Sequence, residues 1–219
     1  MFFLIEPSTE TISRFITSQA GQSFSYSEVG ATREKPAYIT GEVFPHSEVG
    51  AHRKESPADY ILDHNRIKLG VGAETYDRAI AALRRWRQFD LGWVKIEPDT
   101  TPLEIGNTVA IKAKTFGLWT LSACRIVYLI NESGRGRKFG FAYGTLANHV
   151  ERGEERFTIE FHEDGSVWYD ILAFSRPNQF LVRLGYPLAR MLQKRFAKES
   201  LKRMLTLAGS SEGNCDANC

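Results

Sequence analysis

The chain of 219 residues is 42% hydrophobic and 25% charged, a balance that is typical of a globular domain and argues against a disordered or fibrous protein. A net charge of +2 gives no reason to expect nucleic-acid binding, and no stretch approaches the roughly 18 apolar residues of a membrane span. The apolar opening, residues 1–5, ends at Glu6 and Pro7 without a preceding basic region. We therefore expect no secretory signal and a soluble protein of the cytoplasm, or of the plastid interior in a plant.

The first 65 residues are predicted to form a short helix and a loop-rich segment. Ser8 precedes apolar positions at helical spacing, so we expect it to cap this helix. A duplication follows, in which the sequence SEVGA at residues 27–31 recurs at residues 47–51. Two copies of about twenty residues are too few for a solenoid, which needs about three. We interpret one copy as structural and the other as an insertion, and the sequence favours neither assignment.

The central region is predicted to contain one helix and a series of strands. The helix should cover residues 73–89, where apolar side chains repeat at helical spacing and the terminal charges match the helix dipole. Because short turns separate the strands, the sheet is predicted to be antiparallel. The predicted strands are residues 66–71, 93–97, 108–115, 119–131, 138–146, 155–163 and 166–175.

After Pro177 the apolar residues recur at helical spacing, which predicts a helix over residues 177–207 that Pro187 bends or splits. A long helix that follows an antiparallel sheet is expected to lie across that sheet and close the core. The predicted fold class is therefore α+β, with a curved antiparallel sheet of six or seven strands gripping the C-terminal helix. Residues 66–208 would form this core.

Residues 209–219 are predicted to be a flexible tail, since they are rich in Gly, Ser and Asn. Cys215 and Cys219 have a spacing that could chelate a metal ion, but no histidine or second cysteine pair accompanies them. We therefore expect no metal site. No phosphate-binding loop or dinucleotide fingerprint occurs either, so we expect no cofactor.

Several short motifs resemble those of one uncharacterised family. In chain order they are VGATR at 29–33, DHNR at 63–66 with LG at 69–70, FAYGTL at 141–146, the stretch 149–155, VWY at 167–169 and FSRP at 174–177. These motifs resemble the DUF1990 family of plants and bacteria, whose pattern lacks the duplication, and the likeness runs from about Phe2 to Leu207. The order of elements is also similar to the START/Bet v helix-grip fold, which commonly leaves an apolar cavity under its last helix. The resemblance implies this fold but no activity.

The catalytic candidates are Tyr143, His149 and Glu154. A histidine beside carboxylates can have its pKa raised towards neutrality and act as a general acid or base. The alternative is a surface hairpin in which a glutamate pairs with a neighbouring arginine. Tyr143 lies on a strand whose opposite face is Gly-Ala-Gly, residues 140, 142 and 144, and such a face admits the C-terminal helix or a ligand close to the backbone.

The polar candidates for ligand binding interrupt strand faces that are otherwise apolar. An unpaired buried arginine is costly, so Arg125 should either pair with Asp170 or anchor an acidic ligand from the cavity wall. His64 and Arg66, at the start of the first core strand, are weaker candidates of the same kind. The aromatic wall candidates are Trp119, Phe141 and Trp168.

The sequence supports two function classes. The first is binding of a small, largely apolar molecule or lipid, with or without an acidic group, between the sheet and the C-terminal helix, together with metal-free acid–base chemistry if a reaction occurs. The second is an interaction module, because residues 176–208 hold eight basic residues and one acidic residue, a charge of +7 against −5 for the remainder of a chain of +2. Such a helix can contact an anionic membrane weakly, or it can simply carry a solvated basic face.

Overall fold

The structure is a computed structural model that describes residues 1–33, 60–147, 149, 151–177 and 186–209. Within these ranges the chain forms eight strands and three α-helices. In chain order they are β1 (Phe2–Phe3), α1 (Thr9–Gln19), β2 (Ile61–Val71), α2 (Ala73–Arg84), β3 (Val94–Glu97), β4 (Thr108–Thr115), β5 (Leu118–Glu132), β6 (Arg137–Thr145), β7 (Glu151–Phe161), β8 (Ser166–Pro177) and α3 (Tyr186–Gly209).

All strand pairs are antiparallel, and the sheet order is β2-β8-β7-β6-β5-β4-β3. The short β1 pairs with β5, and the Met1 amino group donates a hydrogen bond to the Leu121 carbonyl at 2.9 Å. The sheet is curved, and α2 and α3 pack on its concave face. The predicted α+β fold is therefore confirmed, with β1 as a strand that the sequence did not indicate.

The bounds of several elements differ from those predicted, for local reasons. Ser8 caps α1 as expected, accepting a hydrogen bond from the Thr11 amide. Strand β2 begins at Ile61 rather than residue 66, because its polar residues pair regularly with β8. Helix α2 ends early because Trp86 adopts a left-handed conformation, with φ of 56°, before a 3-10 turn.

Helix α3 begins at Tyr186, so Pro187 lies in its first turn, where the missing backbone donor has no helical partner to lose. Within the described residues the helix has no turn before this proline, and the part of the predicted helix that precedes Tyr186 lies outside those residues. The segment 178–185, the second SEVGA copy and the tail after residue 209 lie outside the described residues.

The sheet buries apolar residues on both faces. On the concave face Phe141 and Phe157 pack with aromatic residues that follow α2, and Met204 of α3 closes this cluster. On the convex face Ile12 and Phe15 of α1 cover the middle of β4 and β5. The two faces therefore have separate roles, because α1 is a structural cover whereas α3 leaves space beneath it.

Candidate functional site

A cavity of about 270 Å³ lies between the concave face of the sheet and α3, at the location where the sequence predicted one. Strands β3 and β4 line one side, the turn after α2 lines another, and α3 covers the cavity. Its apolar wall includes Phe89, Trp93, Ile111, Leu192 and Phe196. The cavity therefore has the aromatic and aliphatic surface that is typical of a small-molecule site.

The polar end of the cavity is built by neighbouring residues of β6 and β7. Tyr143 and Glu155 are direct cross-strand partners, and both line the cavity. The Tyr143 hydroxyl donates a hydrogen bond of 2.6 Å to Glu155 Oε2. Burial raises the pKa of the Glu155 carboxyl to about 7, and the negative charges of Glu151 and Asp63 add to this effect. At neutral pH Glu155 is therefore close to half protonated.

The sequence did not single out Glu155, although a signal was present. It shares a strand face with Phe157 and Ile159, both fully buried, so the alternation of β7 places a carboxyl group on the apolar side of the sheet. A carboxylate on such a face must either find a partner or have its pKa raised by burial. Glu155 does both.

His149 also lines the cavity, and it is buried rather than part of a surface hairpin. Its Nδ1 lies 3.0 Å from the Glu151 amide nitrogen and 3.1 Å from the Glu151 carbonyl oxygen, which fixes the ring. Burial lowers the pKa of His149 to about 4. The expected rise in the pKa of this histidine is therefore wrong, and the imidazole is neutral at physiological pH.

Glu154 contributes to the cavity wall, but its carboxylate is bound by the N-terminal part of the chain. Its carboxylate accepts hydrogen bonds from the Tyr26 hydroxyl at 2.8 Å and the Gly30 amide at 2.7 Å. It also accepts from the Thr32 amide at 3.0 Å and from the Thr32 hydroxyl. Four donors from residues 26–32 therefore saturate this carboxylate, which anchors that segment to the sheet.

The Gly-Ala-Gly face of β6 lies against Tyr26 and β7 rather than against the C-terminal helix, so the expected contact with that helix is wrong. A Cβ atom at Gly144 would lie 2.0 Å from the Tyr26 hydroxyl oxygen, so the tyrosine ring occupies the space that a side chain would need. A Cβ atom at Gly140 would collide with the backbone of β7. These glycines serve the packing of the convex face.

Arg125 lies on the convex face and does not line the cavity. Its guanidinium donates to the carbonyls of Gln19, Ala20 and Gln22, at 3.1, 2.7 and 2.9 Å, where α1 ends. Gln19 and Ala20 are the last residue and the C-cap of α1, where helical carbonyls lose their partners within the helix, and Gln22 lies in the turn that follows. The predicted pair with Asp170 is therefore wrong, as is the anchor for an acidic ligand, because Arg125 caps a helix instead.

Asp170 and its neighbours form a charged cluster on the convex face. Asp170 is fully buried and contacts Arg156 at 3.1 Å and His64 Nε2 at 2.5 Å. Arg66 donates to Glu160 at 2.6 Å, and its guanidinium lies 4.5 Å from the Trp168 ring centroid. The four predicted ligand residues of this region, His64, Arg66, Trp168 and Asp170, therefore lie together but outside the cavity.

The other two aromatic candidates also lie outside the cavity lining. Phe141 is fully buried, with its ring centroid 4.8 Å from that of Trp86, so it belongs to the core. Trp119 pairs with Phe3 of β1, and the amine of Lys114 lies 5.2 Å from its ring centroid. The aromatic wall is formed instead by side chains from the turn after α2, from Trp93 just before β3 and from α3.

Further polar groups at or beside the cavity come from β2, β7, β8 and α3. Arg190 Nη1 and Nη2 form a two-pronged ion pair with Asp63, at 2.5 and 2.8 Å. Gln193 accepts a hydrogen bond from Arg190 at 2.6 Å and donates one to Ser175. Burial raises the pKa of Glu151, while the hydrogen bond of Gln193 opposes that change. Among the described residues, no group of three or more His, Cys, Asp or Glu could hold a metal ion.

Comparisons with known proteins agree with the motifs. The family described as "Domain of unknown function (DUF1990)" matches residues 45–203. A UPF0548 protein of Dictyostelium discoideum is 37% identical over 97% of this chain and 98% of its own length. A UPF0548 protein of Deinococcus radiodurans is 32% identical over 95% of this chain and 100% of its own length.

Among solved structures, human STARD10 has a TM-score of 0.44 and 11% identity, over 74% of each chain. Ara h 8.0201 has a TM-score of 0.45 and 9% identity, over 68% of this chain and 97% of its own. The family match covers most of the chain, and the relatives align almost from end to end. The chain therefore belongs to the DUF1990 family, whose members are also called UPF0548 proteins.

Proposed function

We propose that the protein binds a small, largely apolar molecule in the cavity beneath α3, with the polar group of that molecule at the Glu155–Tyr143 pair. The observation that carries this proposal is the cavity itself, an apolar space of about 270 Å³ with one buried polar end. Sites of this construction hold an apolar body by burial and orient it through a few polar groups.

The same polar end is suited to proton transfer. The pKa of Glu155, raised by burial to about 7, lets its carboxyl act as donor or acceptor near neutral pH. Tyr143 holds one carboxyl oxygen, and the neutral imidazole of His149 lines the same cavity. If a reaction accompanies binding, we assign the proton transfer to Glu155, with Tyr143 as its positioning residue. Glu154 has no such role because its oxygens are already saturated.

Native mass spectrometry of the protein purified from its own source tests the binding proposal. We expect a bound molecule that is released on denaturation. The Ala197→Phe variant places a ring in the cavity wall, so this variant should lack the adduct, whereas Ala81→Phe on the exposed face of α2 should keep it. The same adduct on both variants, or none on the wild-type protein, would overturn the proposal, provided that both variants unfold near the wild-type temperature.

A second candidate function is weak contact with an anionic membrane, and one observation favours it. Lys194, Lys198 and Lys202 are exposed at four-residue spacing on α3, and no ion pair involves them among the described residues. The arginines of α3 are occupied differently, since Arg190 and Arg203 pair with Asp63 and Asp90. Within the described residues, no helix is long and apolar enough to cross a membrane.

Liposome flotation at low and high salt tests this second candidate. Each lysine near an anionic bilayer contributes about 1 kcal/mol, so three of them would give weak, salt-sensitive recovery. Reversing the three lysines of α3 to Glu should abolish recovery with anionic vesicles. A control that reverses Arg14, Lys95 and Arg135, which are exposed elsewhere, changes the net charge equally and should leave it intact. Equal loss in both variants would show that only net charge matters.

A further inference from the structure

The cavity has more acidic groups than basic groups available to a ligand. Asp63, Glu151 and Glu155 all contribute to its lining, from β2 and β7. Arg190 of α3 donates from two nitrogens to Asp63. Lys194 also lines the cavity, but it is an exposed residue of α3 and forms no ion pair among the described residues. Arg190 also acts to lower the pKa of Glu151, whereas no basic residue of the described ranges contributes to the shift of Glu155.

Glu155 has one oxygen available to a ligand. Its Oε2 accepts from Tyr143, and the described part of the chain offers no second donor to this carboxyl. The side chain is only partly buried, although the strand around it is fully buried, because it borders the cavity. Phe89, Trp93 and Phe196 line the same space with aromatic rings. An ion pair with an acid and contact with ring faces are both favourable to an organic cation.

We propose that the ligand is a basic amine, an apolar or aromatic skeleton whose ammonium group pairs with Glu155. This inference rests on the proposed binding function and names the class of molecule bound. It replaces the acidic ligand that the sequence suggested, because that expectation depended on Arg125, which caps α1 on the opposite face. An acidic ligand would instead place its charge beside Glu151 and Glu155.

Binding of such an amine should be pH-dependent. Glu155 must be ionised to form the pair, and its raised pKa of about 7 places this change between mildly acidic and mildly basic conditions. Arg190 faces the site from α3 but remains charged throughout this range. The titratable groups that interact electrostatically with Glu155 are Asp63, Cys124, Tyr143, Glu151 and Tyr169. Of these, burial raises the pKa of Glu151, as it does for Glu155, and it also raises the pKa of Cys124 and of both tyrosines.

A matched series of probes tests the proposal by isothermal titration calorimetry. The probes are 2-(1-naphthyl)ethylamine, 2-(1-naphthyl)ethanol and 1-naphthylacetate, which share one aromatic body and differ in charge. At about pH 8 we expect the amine to bind at least about tenfold more tightly than the alcohol, which is about 1.4 kcal/mol, and the acetate to bind most weakly. From about pH 8 to pH 5.5, a tenfold preference for the amine should fall about sevenfold, to near the affinity of the alcohol, as Glu155 takes up a proton, while alcohol affinity stays constant.

Two variants separate the role of Glu155 from general effects. Glu155→Gln should remove the preference for the amine and leave alcohol binding within about threefold of the wild type, which is below 1 kcal/mol. Glu132→Gln, at the exposed end of β5, should change neither the preference for the amine nor the affinity for the alcohol. The wild-type series is informative even if a variant fails to fold.

The outcomes distinguish the two proposals. Equal, pH-independent binding of amine and alcohol would overturn the amine inference and leave cavity binding intact. If no probe binds, the native ligand found by mass spectrometry is the test. A native ligand without a basic nitrogen overturns the amine inference and leaves the binding proposal intact. Failure of every probe together with the absence of a native ligand overturns both proposals.

Discussion

Replacing Glu155 with Gln should change the pH dependence of stability. The pKa of Glu155 is about 7 in the folded protein and near 4.5 in the unfolded chain, so between these values the folded state binds the proton more tightly. The stabilisation of the folded state by protonated Glu155 is fully present below about pH 4.5 and is lost as the pH rises through 7. At 1.36 kcal/mol for each pH unit of this interval, ionised Glu155 costs about 3 kcal/mol above pH 7. Gln still accepts the hydrogen bond of Tyr143 but carries no charge.

His149 acts in the opposite direction. Burial lowers its pKa from 6.5 to about 4, so the unfolded chain binds the proton more tightly between these values. The stabilisation of the folded state by neutral His149 is fully present above about pH 6.5 and is lost as the pH falls through 4. Between about pH 4.5 and 6.5 the two slopes have similar size and opposite sign, so these two residues should leave wild-type stability nearly flat. Glu155→Gln removes the pH dependence due to Glu155, so the stability of the variant should rise with pH over this range because of His149 alone.

Urea unfolding at about pH 4.5, 6 and 8, followed by tryptophan fluorescence, measures the difference between variant and wild type. We expect the free energies of unfolding to be nearly equal at the lowest pH and the variant to be more stable by about 3 kcal/mol at the highest. Glu132→Gln, an exposed position, should show no such trend. A constant difference across the three pH values would refute the reasoning, because it would mean that Glu155 titrates alike in both states.

Three further predictions concern the convex face. Arg125→Met removes the donors from three carbonyls at the end of α1, so it should cost about 1–3 kcal/mol in urea unfolding and speed amide exchange in α1. Glu154→Gln leaves an amide facing donors that need acceptors, so it should cost about 3–5 kcal/mol and release residues 26–33 to exchange. Gly144→Ala forces a Cβ to within 2.0 Å of the Tyr26 hydroxyl and should cost about 1–3 kcal/mol, whereas Gly21→Ala, with open space around its Cβ, should change stability by less than about 0.5 kcal/mol.

The fold was predictable because its main signals are local. Strand β4 has the predicted bounds, and the hairpin between β7 and β8 has its Asp164-Gly165 turn, since short apolar runs between turn residues define such elements. Strand β2 was shortened in the prediction because Asp63, His64 and Asn65, the polar residues before Arg66, resemble a loop. His64 and Arg66 are accommodated in this strand because the convex face provides Asp170 and Glu160 as their partners.

The site was less predictable because its contacts join distant parts of the chain. Tyr143 and His149 were identified and do line the cavity, since aromatic and histidine residues are conspicuous in an apolar sequence. Arg125 could not be assigned, because its partners are backbone carbonyls more than 100 positions away, and no pattern in β5 indicates them. Glu155 was predictable in principle from the alternation of β7. Because Glu154 beside it is also a glutamate, the residue type alone did not show which of the two lines the cavity.

The contrast between these two adjacent glutamates argues for where the function lies. Alternation along β7 places Glu154 against the N-terminal segment and Glu155 in the cavity. Glu154 receives four donors from that segment, which is the number that a carboxylate can accept, and it needs nothing further. Glu155 receives one donor, and burial raises its pKa. A carboxylate that only stabilises the fold resembles Glu154. A carboxylate with one donor from the described residues, beside an apolar cavity, is suited to the ligand contact proposed for Glu155.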